Sequence, residues 1–191
     1  MGNILLGRGD TAQAIIAYKQ AIDCNPSYAR PYLAMAEVYA EKGEKEMAMN
    51  NYLATVRLFA EYDAYEEIGI YAAKALKLDS THIEMERYLR HYYYKMEDHA
   101  MVLQIGLNID ELSIAQNNAE ECYANRTFMA MSLYKIREYE EALYLLSQVT
   151  EHEETVLKYG YLITTIYDYL PHNNLQMWHI GITIMAGKIP I

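Results

Sequence analysis

The feature that most constrains this chain is that it repeats itself. Gly9-Asp10, followed by Ala14, Tyr18 and Ala21, returns 34 residues later as Gly43-Glu44, followed by Ala48, Tyr52 and Thr55. Within each copy the small and aromatic residues fall at i, i+4 and i+7, which is one face of a helix. The glycine and acidic residue ahead of that face are a turn and a helix start. A fixed period of this size means stacked supersecondary units, each burying its apolar face against the next. Composition agrees: 52% of the 191 residues are hydrophobic, while only four prolines and nine glycines interrupt them, so long helices with short turns are expected and strands are not.

Segment 29–62 resembles the tetratricopeptide repeat. Tyr32 stands at the place of that repeat's Trp, Met35-Ala36 at its Leu-Gly pair, Tyr39 at its Tyr, Ala48 at its Ala and Tyr52 at its Phe, with Gly43 in the turn. Thr55 and Ala60 replace a second Ala and the closing Pro, and the Pro survives in Asn25-Pro26 at the end of the preceding unit. The resemblance implies an all-α fold, an α-α superhelix of antiparallel helix hairpins. Small residues would let paired helices approach and aromatics would fill the space between hairpins.

A second register starts downstream. Tyr94, Lys95, Asp98, His99 and Val102 recur 40 residues later as Tyr134, Lys135, Glu138, Tyr139 and Ala142. The excess over 34 implies an insertion of about six residues, placed between Glu111 and Cys122 with a loop at Asn117-Asn118. The expected organisation is a half repeat over 1–28 that supplies only a second helix, a repeat over 29–62, an unpaired linking helix over 63–80, repeats over 81–112 and 113–150, the latter with the insertion, and a hairpin over 151–191. Ala60-Glu61-Tyr62-Asp63 supplies a break that favours a separate linking helix over one running from 44 to 78. Glu86 and Arg90 stand where the repeat wants an aromatic and a small residue, which predicts a splayed first helix there.

The expected chemistry is binding, with no catalytic, cofactor or metal residues. His152-Glu153-Glu154 lacks the second His of a zinc-protease helix, His172 and His179 have no carboxylate or thiol at ligand spacing, and Cys24 and Cys122 fit neither a disulfide framework nor a zinc motif. A net charge of −10 disfavours nucleic acid. No apolar run approaches a membrane span, and no signal peptide opens the chain, so a cytoplasmic protein is expected.

The resemblance implies that first helices line a concave groove. In the second register that places Arg87, Tyr88, His91, Tyr94 and Lys95 in the groove, joined by Thr127, Met131, Tyr134 and Lys135, a set suited to an acidic or aromatic-containing peptide. Lys and Asn of the family's carboxylate clamp are replaced by Leu33 and Glu37, which argues against capture of a C-terminal carboxylate of that kind.

The function expected is a non-enzymatic protein-interaction scaffold. The alternatives are a repeat segment of a larger enzyme or assembly, and an RNA-binding helical array. Apolar residues near both ends, among them Ile15, Ile16, Ile22, Leu175 and Trp178, predict self-association or contact with another domain.

Overall fold

The computed structural model describes residues 1–149, and the hairpin expected over 151–191, with Leu175 and Trp178, lies outside them. The chain divides into two compact units, residues 1–95 and 96–191. Among the described residues every element is a helix, and none is long and apolar enough to cross a membrane.

Unit 1 holds α1 (Gly2–Gly7), α2 (Thr11–Cys24), α3 (Ala29–Glu41), α4 (Lys45–Glu61), α5 (Tyr65–Leu76) and α6 (Ile83–Lys95). Each helix packs on the next in sequence. The repeat's small residues serve this packing: Ala14, Ala36, Ala48 and Ala72 are fully buried, and Tyr18, Tyr39 and Tyr52 fill the spaces between helices. Ion pairs Glu37–Lys74 (3.0 Å) and Arg57–Glu84 (2.8 Å) join α3 to α5 and α4 to α6, so odd and even helices form two layers. Phe59 of α4 stacks on Tyr71 of α5 at 5.7 Å.

Two expectations change here. The chain does not open on an unpartnered second helix, because α1 packs on α2 through Gly2, where a Cβ would stand 2.3 Å from the Tyr18 ring, and the Tyr18 hydroxyl donates to Asn3 Oδ1 at 2.7 Å. Ile15 and Ile22 are accordingly half-buried, while Ile16 stays exposed. Nor is the helix within 63–80 unpaired: α5 packs against both α4 and α6, with Gly69 held under the Tyr92 ring at a distance no Cβ would tolerate. The chain breaks between α4 and α5 at Tyr62–Ala64.

Unit 2, as described, holds α7 (His99–Ala115), α8 (Ala119–Lys135) and α9 (Tyr139–Ser147), again packed in sequence. Its core is Ala130, Leu133, Ala142, Leu143 and Leu146. A polar knot ties α7 to α8. Asp110 accepts from Arg126 Nε at 2.8 Å, from Asn125 Nδ2 at 3.2 Å and from Cys122 Sγ at 3.2 Å, and Asn125 also donates to the Gly106 carbonyl at 2.7 Å. Gly106 allows that approach, since a Cβ there would meet Met129 at 2.5 Å.

One turn joins most of these helices. After α1, α3, α4, α7 and α8 a residue with left-handed φ follows the C-cap: Gly9, Gly43, Asp63, Asn117 and Arg137. Its N–H returns to a carbonyl three residues back, and the next N–H reaches five residues back, as in Asp10 to Leu5 (3.0 Å), Glu44 to Tyr39 (2.9 Å), Ala64 to Phe59 (3.0 Å), Asn118 to Ser113 (2.8 Å) and Glu138 to Leu133 (2.9 Å). This is the Schellman arrangement, which satisfies the orphan carbonyls of the ending helix. The donor of the longer bond then starts the next helix, with Asp10 and Asn118 capping by side chain.

Glu97 shares the left-handed φ, so Glu97, Asn117 and Arg137 stand twenty residues apart, as do Gly43 and Asp63. The 40-residue spacing is therefore two helix-plus-turn steps. The insertion expected between Glu111 and Cys122 is instead the end of α7, a turn and the start of α8.

Candidate functional site

In unit 1 a groove of about 660 Å³ lies between α1, α2 and α3. Leu6 of α1, Ala17 and Ala21 of α2, and Leu33, Ala34 and Val38 of α3 give it an apolar floor. The small residues at 17, 21 and 34 create the hollow, since longer side chains there would fill it. Arg30, Glu37 and Glu41 are its exposed charges, with Tyr28 at one side. Glu37 is fixed by Lys74 Nζ, which also lies 5.3 Å from the centroid of Tyr71. Tyr18, beneath the groove, has its hydroxyl pKa raised first by burial and then by the Glu37 charge, so it remains a neutral donor. Leu33 and Glu37, the replacements for the clamp residues, both face this groove and present an apolar group and an anion to whatever enters.

The residues expected to line a groove in the second register are dispersed. On α6, Arg87, Tyr88 and His91 do come together, in a cleft of about 360 Å³ against Ala60, Asp63, Tyr65 and Ile68, with Arg90 beside them. Lys95 stands at its edge with Nζ 5.1 Å from the Tyr65 ring centroid, and the Tyr65 and His91 rings are 5.7 Å apart. Tyr94 is half-buried. Burial, then the Lys95 and Arg90 charges, lower the His91 pKa against an opposing pull from Asp63, so its imidazole is neutral near pH 7.

The reason this is a cleft and not the expected groove is the layer: α6 pairs with α4 across Arg57–Glu84 and takes a second-helix place, while α5 takes the first. Arg90 and Glu86, which misfit a first helix, are both buried here.

In unit 2 the expectation is partly withdrawn. Thr127 is fully buried and its hydroxyl donates to its own helix at the Tyr123 carbonyl, 2.9 Å away, so it presents nothing to a ligand. Met131 is half-buried. Tyr134 and Lys135 share a shallow depression with Arg137 and Tyr139, the two tyrosine rings 5.7 Å apart.

Sequence reasoning passed over Asp63, Tyr65 and Arg90. Tyr65 and Asp63 lie in the stretch read as a linker, and only the oddity of Arg90 at a small-residue position signalled anything. The α1–α3 groove was missed because α1 was not expected.

The family model described as TPR repeat, the tetratricopeptide repeat, matches residues 2–43, which span α1 to α3. No curated protein matches the chain. Among solved structures, the chain is similar to YrrB, described as a TPR protein with an unusual peptide-binding site, at 22% identity and a TM-score of 0.52, covering 90% of this chain and 93% of that one. It is similar also to a structure of the APC/C hetero-tetramer Cut9-Hcn1, at 14% identity and a TM-score of 0.52, over 98% of this chain and 39% of the other.

Proposed function

We propose that this chain, a tetratricopeptide-type helical solenoid, is a non-enzymatic scaffold that holds a peptide segment of a partner protein in the α1–α3 groove. The observation that carries the reading is the groove itself. Its volume of about 660 Å³ is in the range of binding clefts, its floor is apolar, and a few charges sit where they can orient a ligand. A peptide with two or three apolar side chains would bury them on Leu6, Leu33 and Ala34. Arg30 near the start of α3 and Glu37 and Glu41 farther along the same helix would choose among flanking charges. The peptide-binding site of YrrB, a protein of similar fold, supports the same reading by analogy.

The test is selection of a displayed random-peptide library on the whole chain, followed by fluorescence anisotropy with the selected peptide. Ala34→Trp fills the groove and should weaken binding at least about tenfold, a loss of ~1.4 kcal/mol. Leu33→Glu should do the same, with thermal melts showing that both variants remain folded. A selected peptide that binds both folded variants as tightly as the parent would refute the groove, and a library from which nothing is enriched would count against peptide recognition altogether.

A further inference from the structure

Unit 1 offers a second site of different chemistry. We infer that the α5–α6 cleft binds an acidic peptide segment, with a side-chain carboxylate against the guanidinium groups of Arg87 and Arg90 and a neighbouring aromatic side chain against the rings of Tyr65 and Tyr88. This goes beyond the α1–α3 groove and does not depend on it.

The first support is where the charge lies. The chain has 26 acidic residues against 16 lysines and arginines, yet three cations, Arg87, Arg90 and Lys95, gather at one cleft of about 360 Å³. Asp63 is the acidic residue in the lining, and its carboxylate accepts the Tyr65 hydroxyl. With His91 neutral, the lining itself carries one positive charge in excess and Lys95 adds a second at the edge.

The second support is Arg90, only 6% exposed. A buried guanidinium gives up much of its hydration before its partners compensate, and a small apolar residue at this position would avoid that cost. Arg87, Arg90 and His91 already make contacts within the protein. The planar guanidinium fork carries five N–H donors, so a carboxylate entering the cleft would join the contacts these arginines already make.

The third support is the wall. Tyr65 is held in place by its bond to Asp63, by the ring of His91 and by Lys95 over its face. A ring docking beside it would lose little freedom on the protein side, and aromatic pairs add to the area they bury. A short acidic segment suits the small volume, whereas the long phosphate backbone of a nucleic acid would have to lie along the rest of a surface with net charge −10.

The experiment is fluorescence anisotropy of the whole chain with a labelled peptide of alternating Glu, Asp and Phe, beside the same peptide carrying Gln and Asn, at low salt and at tenfold higher salt. The acidic peptide should bind, the amide version at least about tenfold more weakly, and the higher salt should weaken binding severalfold. Arg87 is exposed, so Arg87→Gln should fold, checked by circular dichroism, and lose about tenfold in affinity; Arg87→Glu should lose more. Lys19→Gln on α2 removes an exposed cation elsewhere and should leave affinity unchanged. The inference is overturned if the acidic peptide fails to bind, if the amide peptide binds equally, if Arg87→Glu has no effect, or if a single-stranded RNA of similar length displaces the peptide at lower concentration.

Discussion

Arg137 and Gly43 occupy the same position of the same turn, and this equivalence can be tested by exchanging their side chains. Arg137 has φ 68° and Gly43 φ 74°. For an L-residue this region costs roughly 1–2 kcal/mol, because Cβ crowds the backbone carbonyl. Glycine escapes that cost but loses more freedom on folding, a penalty of about 0.4–1 kcal/mol. Arg137 is exposed and carries no ion pair among the described residues, so Arg137→Gly removes the strain while giving up little contact. The balance is a gain of about 0.5–1 kcal/mol.

The reverse exchange, Gly43→Ala, should lose a similar amount. Nothing lies within 4 Å of where its Cβ would stand, so the loss would be of backbone origin alone. Urea denaturation followed by circular dichroism measures both, with a shift in midpoint and an unchanged slope. Arg137→Ala serves as a control, since it deletes the charge but keeps the left-handed strain, and should be close to the parent. The reasoning fails if Arg137→Gly destabilises, or if Arg137→Ala stabilises as much as Arg137→Gly does.

Ala48→Leu should destabilise by about 1–3 kcal/mol, since Ala48 is fully buried beside Tyr18 and Tyr39 and has no room for three further carbons; an unchanged melting curve would contradict that packing. Asp110→Ala should cost about 2–3 kcal/mol by stranding the donors of Arg126, Asn125 and Cys122, with Asp110→Asn intermediate, as read by the same denaturation assay. A thiol reagent at pH 8 should label exposed Cys24 quickly and Cys122 slowly, because burial and then the Asp110 carboxylate push the Cys122 thiol up to about 11. The unfolded chain gives up that proton at lower pH than the folded one, so stability should be lost as pH rises from about 9 towards 11; Cys122→Ser should lessen this loss, as followed by thermal melts across that window.

The helical class and the repeat were legible because alanine and tyrosine recur at helical spacing and because two turns use glycine. The left-handed position is not glycine at Asp63, Glu97, Asn117 and Arg137; a break at 60–63 and a loop at Asn117-Asn118 were visible, but Glu97 and Arg137 carry no turn signature, so the twenty-residue step went unseen and its double was read as a 34-residue repeat with an insertion. That error of register carried α6 into a first-helix place and its residues into a groove. Arg87, Tyr88 and His91 still meet, because neighbours on one helix face stay together in either layer. Their companions Asp63 and Tyr65 could not be found from α6 alone, since the pairing of α5 with α6 is a tertiary fact. The burial of Thr127 likewise depends on what packs over α8, about which a single helix says nothing.

Within each unit the strong contacts run from one helix to the next in sequence, and that order has a mechanical consequence. Among the described residues, load applied along the polypeptide meets no distant strand pairs to shear, so resistance there resides in one helix–helix seam at a time. Pulling would peel the helices off singly, each twenty-residue step releasing at most about 70 Å of extended chain. Such a protein stretches at low tension and recoils by re-seating one helix on its neighbour, so a bound partner under tension would feel a spring.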